Sequence, residues 1–140
     1  MTVTGQLKAT RTLITGSPGF IGRNLVERLL GNEVVTCDYN GADITPDNLW
    51  EYLETNSVGR VVHLGAISST TETDIAKLFT VNTAFTVKLW KWCTLNDVQL
   101  IYASSAATYG DGSLGYDDLE TYRYLNRLKP LNLYGKSKAA

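Results

Sequence analysis

Apolar and polar positions along this chain follow two periods in alternation. "TRTLITG" (Thr10 to Gly16) is a short, β-branched apolar run ended by glycine, which predicts a buried strand. "FIGRNLVERLL" follows, with Ile21, Leu25 and Leu29 four apart and Val26 and Leu30 beside them. That spacing predicts an amphipathic helix, ended by Gly31-Asn32. "EVVTCD" (33–38) predicts a second strand. In "TPDNLWEYLETN", Thr45 is the candidate N-cap and Pro46 the first helical residue, so a helix is expected to about Asn56. "RVVHLGA" predicts a third strand. "DIAKLFTVNTAFTVKLWKWCTLN" carries apolar residues at 78, 81, 85, 89 and 92, a long helix, and "VQLIYASS" predicts a fourth strand. From Gly110 to Pro130 no period is visible. That stretch reads as a long polar excursion, with Asp111 to Lys129 expected to be poorly ordered or displaced.

Strands alternating with helices imply an α/β fold: a parallel sheet with right-handed crossovers and helices on both faces. Uniformly apolar strands agree, because both faces of such a sheet are covered. A chain of 140 residues suffices for one core and one domain. The net charge of −1, without a Lys/Arg run, gives no reason to expect nucleic acid. The N-terminal "MTVTGQLKAT" has no apolar segment of a signal peptide, and no apolar run approaches the roughly 18 residues of a membrane span. Cys37 and Cys93 form no metal or redox spacing. They read as buried, reduced thiols of a cytoplasmic protein, and no metal site is expected.

Four stretches carry chemistry. In "TGSPGFIG", Gly16, Gly19 and Gly22 lie between a strand and a helix. Glycines there permit a tight turn and close approach of backbone to a pyrophosphate, which the helix N-terminus attracts. Asp38, at the end of the second strand, can accept both hydroxyls of an adenosine ribose and would repel a 2′-phosphate. It favours NAD over NADP. Asp43 and Ile44 could flank the adenine. The connection around them is so short that the third strand of a standard dinucleotide fold is a stub. In "HLGAISSTTETD", Gly65-Ala66 ends a strand with no side chain in the way of a ligand, and Ser68 to Thr71 could donate to it or simply cap the next helix. His63, the sole histidine, reads as structural.

The fourth stretch joins "YASSAATYG" to "LYGKSK". Ser104 and Ser105 end a strand, and Tyr134 starts a helix with Lys138 one turn on. A lysine ammonium beside a phenol favours the phenolate, the tyrosine then removes a hydroxyl proton, and a serine orients the oxygen. That set suits hydride exchange at a carbinol.

The order "TGSPGFIG", Asp38, "DIT", "HLGA", "VNTAFT", "YASSAATYG", "LYGKSK" resembles the extended short-chain dehydrogenase/reductase family over nearly the whole chain. Within it, "GAISSTTETD", "YASSAATYG" and "PLNLYGKSK" are most similar to the ADP-glycero-manno-heptose 6-epimerases, nucleotide-sugar epimerases that work through a transient ketone. The resemblance implies a Rossmann-like, doubly wound parallel sheet over residues 1–140. It implies catalytic Ser105, Tyr134 and Lys138. It places Gly16, Gly19, Phe20, Ile21, Gly22, Asp38, Asp43, Ile44, Leu64, Gly65, Ala66, Ser68, Asn82 and Lys138 about an NAD or NADP cofactor, Asn82 as support for the active-site strand. The substrate implied is a nucleotide-diphosphate sugar, and the helix 74–95 could join two copies. "CDYNGADIT" lacks the lysine with which heptose epimerases hold the NADP phosphate, so NAD is favoured. Ala106 and Ala107 stand where sugar dehydratases carry carboxylates, so dehydration is disfavoured. A 4-epimerase, a 4-ketoreductase and a non-catalytic dinucleotide module remain alternatives. Members of the family run to about twice this length, so the chain reads as the cofactor-binding half without the sugar subdomain. Residues 1–140 alone are expected to turn over little sugar.

Overall fold

The computed structural model describes residues 11–29 and 33–140. The expected helix stop at Leu30, Gly31 and Asn32 lies outside the described residues, as does Thr10 at the start of the first strand. The described residues form two compact units: the chain up to Gly65 with Trp90–Tyr102, and Ala66–Leu89 with Ala103–Ala140.

In the first unit, four strands form one parallel sheet: β1 (Arg11–Thr15), β2 (Val34–Cys37), β3 (Val58–His63) and β4 (Gln99–Tyr102). Their order is β2-β1-β3-β4. The chain steps outward from β1 to β2, then returns to the other side of β1 as β3. That reversal is the switch point of a doubly wound, Rossmann-like sheet, and it falls between β1 and β3. Thr15 pairs with Cys37 on one side and His63 on the other. Leu13, Ile14 and Val61 are fully buried. Each such side chain contributes about 1.5–3 kcal/mol on leaving water. At the sheet edge β4 alternates instead, and Ile101 is 48% exposed.

Helix α1 (Phe20–Arg28) begins where expected. Its apolar stripe is only half-buried, Ile21 is exposed, and the one fully buried residue is Gly22. Helix α2 (Leu49–Thr55) corrects an expectation: it starts after Asn48, not at Pro46. The Asn48 carboxamide oxygen accepts from the Thr45 N–H at 2.8 Å, so Thr45 to Asn48 close a turn of their own. The expected stub of a further strand is present as a single parallel bridge between Cys37 and Ile44.

The second unit holds α3 (Ile75–Leu78), a π-helical segment (Phe79–Ala84) and the start of α4 (Phe85–Leu95). The long helix is legible in the sequence, its buried face only in part. The buried residues are Leu78, Asn82, Leu89 and Cys93, while Val81 is exposed. A π turn carries an extra residue, which rotates the face past it. Asn82, with hydrogen-bonding partners, occupies the interior in place of valine. A 3₁₀ turn (Ala106–Tyr109), α5 (Tyr122–Leu125) and α6 (Leu133–Ala139) complete this unit.

The stretch expected to be poorly ordered or displaced carries a set of tyrosine contacts. Tyr109 donates its hydroxyl to the Asp117 carbonyl at 3.1 Å. The Tyr124 hydroxyl accepts from the Asp117 N–H and donates to the Gly115 carbonyl. Thr121 caps α5, and the rings of Tyr109 and Tyr116 meet edge-on at 5.5 Å.

Candidate active site

The glycine turn after β1 belongs to the first unit. Gly16 has φ +72°, and a Cβ there would lie 2.6 Å from the Gly65 nitrogen, so β1 and β3 emerge with their backbones in contact. Thr15 locks this crossing. Its Oγ1 lies 2.6 Å from His63 Nδ1 and accepts from the Gly65 N–H at 3.1 Å. His63 is buried and stacked on Tyr102, a structural role as expected. Gly19 caps α1 without a side chain, with Phe20 and Ile21 exposed in the first turn. One feature of the turn escaped sequence reasoning. The Ser17 hydroxyl is buried and has no hydrogen-bond partner. Such an orphan costs about 1–3 kcal/mol, so a polar ligand group reaching it is stabilised. The turn therefore fits a phosphate: an orphan hydroxyl beside a helix N-terminus with no Cβ in the way.

Asp38 ends β2 half-buried. Its Oδ1 accepts from the Asn40 N–H at 3.0 Å, which leaves a second oxygen to accept from a ribose. Asp43 is committed locally: its Oδ2 accepts from both the N–H and the hydroxyl of Thr36, each at 2.8 Å, and its own N–H donates to Thr36 Oγ1. This clasp holds Ile44 beside Cys37. Burial pushes the thiols of Cys37 and Cys93 up to about 12 and about 11, so both stay protonated and unreactive.

The second unit contains Ser105, Tyr134 and Lys138. Ser105 heads the 3₁₀ turn, and its Oγ accepts from the Ala107 N–H at 3.1 Å. That bond orients the hydroxyl and leaves its proton to donate outward. Asn132 caps α6 through the Gly135 N–H at 2.7 Å, so Tyr134 sits in the first turn. A Cβ at Gly135 would lie 2.7 Å from the Ala107 carbonyl oxygen. The helix carrying Tyr134 and Lys138 thus rests directly on the turn headed by Ser105. A cavity of about 420 Å³ opens beside that turn, lined by Ser104, Ser105, Tyr109 and Glu120 among others. Ser68 is exposed at the surface, while Ser69 and Thr71 bond to each other, and the next helix is capped by Asp74 instead.

Asn82 is buried in the π segment. It accepts from the Ile67 N–H at 2.8 Å, donates to the Ile67 carbonyl at 3.0 Å, and donates to Ser137 Oγ at 2.9 Å. Its contacts are thus with the Ile67 backbone and α6. Among the described residues no His, Cys, Asp or Glu cluster could hold a metal, and no helix is long and apolar enough to cross a membrane.

Lys138 is 7% exposed, and burial holds its ammonium below the ordinary lysine value of 10.5. Between the folded value and 10.5 the unfolded chain binds more protons, so stability should rise with pH across that window. Below it the burial cost is present in full. Urea unfolding of the parent against Lys138→Met is expected to show the parent gaining relative stability as pH climbs toward 10.5. A flat difference would contradict it.

The sheet, its switch point and the glycine turn are those of a Rossmann-like α/β protein. Residues 12–140 match the NAD dependent epimerase/dehydratase family, and the chain belongs to that family. It is 38% identical to the ADP-L-glycero-D-manno-heptose-6-epimerase of Fusobacterium nucleatum, 90% of this chain aligning with 44% of that protein. The enzyme of the same name from Nitratidesulfovibrio vulgaris is 37% identical over 90% of this chain and 45% of its own. The chain thus spans less than half the length of these curated relatives. Among solved structures, the UDP-glucose 4-epimerase of Thermus thermophilus in complex with NAD superposes with a TM-score of 0.74 at 28% identity, over 93% of this chain and 48% of that one. The Helicobacter pylori ADP-L-glycero-D-manno-heptose-6-epimerase gives 0.71 at 25% identity, again over 93% and 48%.

Proposed function

We propose that this chain is the cofactor-binding and proton-handling part of an NAD-dependent nucleotide-sugar epimerase, nearest in kind to the heptose 6-epimerases. The observation that carries this reading is α6 resting on the Ser105 turn through Gly135, with Tyr134 in its first turn and Lys138 buried behind it. The Gly16 to Gly22 turn would take the cofactor pyrophosphate, Ser17 and the α1 N–H groups donating to it, and Asp38 would take the ribose. A dinucleotide held there would supply hydride exchange at the sugar carbinol. Ser105 donates its free hydroxyl proton to the carbinol oxygen and so orients it. Tyr134 removes the proton of the same hydroxyl as the carbonyl forms, and returns it when the carbinol reforms. Lys138, itself buried on the same helix as Tyr134, supplies positive charge from a low-dielectric position, where charge acts strongly.

Turnover of ADP-heptoses and of UDP- and dTDP-hexoses with added NAD tests the reading. Epimerisation at C6 of a heptose supports it. Epimerisation or ketone reduction at C4 would assign the sister activity. Cofactor binding with no turnover by the protein would leave only the dinucleotide module. Asp38 sets a separate expectation. Calorimetric titration should give NAD tighter than NADP by about tenfold or more, since a 2′-phosphate beside a carboxylate is repelled. Asp38→Ser should erase that gap. Tighter NADP binding by the parent would overturn the assignment.

A further inference from the structure

Tyr134 and Lys138 are separated by three residues, and one of them connects the catalytic helix to the rest of its unit. The Ser137 hydroxyl donates to the Tyr134 carbonyl at 2.7 Å and accepts from Asn82 Nδ2 at 2.9 Å. Thr83 donates its hydroxyl to the Ser137 carbonyl at 3.1 Å. Asn82 in turn holds both backbone groups of Ile67. A continuous line therefore runs from the Ile67 backbone through one amide and one hydroxyl to the Tyr134 backbone. The amide uses its oxygen once and its two N–H groups once each, and the hydroxyl donates once and accepts once. Every donor along the line is used. Both side chains that carry it come from one helical turn of the π segment and one of α6, and π turns mark functional sites more often than chance.

We propose that Ser137 is a positioning residue: it relays the fixed geometry of Ile67 and Asn82 to Tyr134, and so sets the reach of the tyrosine toward the Ser105 turn. The proposal deepens the reading of Tyr134 as the proton-transfer group and rests on it. Helix α6 has seven residues, too few to hold its shape by backbone bonds alone. Gly135 allows α6 close approach to the Ala107 carbonyl. The Ser137 pair of bonds, with Thr83 beside it, ties the same helix to the π segment. Serine suits the position because a hydroxyl one carbon from the backbone can reach the carbonyl three residues back while still accepting from a neighbour.

The test follows the tyrosine itself. With ring-labelled tyrosine, the Tyr134 resonance is assigned by its loss in Tyr134→Phe. In Ser137→Ala it is expected to shift or split, and amide exchange over 133–139 to accelerate about tenfold. Ser137→Thr keeps the hydroxyl and should restore both. Because a helix change alone could loosen the fold, the melting temperature is measured beside them. A Ser137→Ala protein with parent resonance and parent exchange overturns the proposal, as does failure of Ser137→Thr to restore them when its melting temperature is that of the parent. Failure of the proton-transfer reading would appear elsewhere, as sugar turnover that survives loss of the Tyr134 hydroxyl.

Discussion

On the proposed epimerase reading, Tyr134→Phe in the sugar-converting protein should lower turnover by about a hundredfold to ten-thousandfold, the usual contribution of a positioned acid–base group. NAD affinity should stay within about twofold, because the pyrophosphate and ribose are assigned to the Gly16 turn and Asp38, not to α6. Melting should change little as well. The ring stays, the side chain is only half-buried, and the contacts that hold α6 belong to Asn132, Gly135 and Ser137. The contrast with Asp38→Ser is the informative part. One substitution should remove rate and spare cofactor choice, and the other should alter cofactor choice. Steady-state kinetics on both variants, with calorimetric titration of NAD, measures this. Retention of turnover by Tyr134→Phe would show that another group moves the proton and that Ser105 and Lys138 have been given the wrong partner.

Much of this was legible in the sequence because it depends on local chemistry. The strands β1, β2 and β3 show as apolar runs because they carry core residues such as Leu13, Ile14, Cys37 and Val61, and Gly16 shows because only glycine suits φ +72° against the Gly65 backbone. The α6 pair shows because four residues make one turn. What escaped is non-local. A period count on the 74–96 segment assumes 3.6 residues per turn, so it assigned Val81 to the interior, whereas the π turn gives that place to Asn82. Pro46 is a good first helical residue, yet Asn48 folds back on Thr45 and delays α2 by three positions. The Gly110 to Pro130 stretch has no period because its contacts come from tyrosine hydroxyls bonding to backbone carbonyls and amides, a pattern composition does not encode. Ser17 lay inside the glycine motif all along, and only its burial without a partner singles it out.

Gly22→Ala is expected to damage the glycine turn through backbone collision alone. A Cβ at Gly22 would overlap the Gly16 carbonyl oxygen and lie 2.7 Å from Ser17 Cα and 2.8 Å from the Ser17 carbonyl oxygen. All of these are backbone atoms of the turn, so no side chain can swing aside. Either α1 tilts off the turn or the turn opens, and overpacking of this kind costs about 1–3 kcal/mol. Both responses move the α1 N–H groups and the Ser17 hydroxyl away from where a pyrophosphate would sit. Losing one or two charge-assisted hydrogen bonds should then weaken NAD by about a hundredfold. Gly41→Ala is the matched control. Gly41 also has positive φ, at +59°, but no atom lies within 4 Å of its Cβ position. That change should cost about 1–2 kcal/mol of backbone strain and leave NAD affinity at the parent value. Thermal melting and calorimetric titration of the two variants separate strain from collision. If Gly22→Ala bound NAD as tightly as Gly41→Ala, the close packing of α1 on the turn would have no part in holding the cofactor.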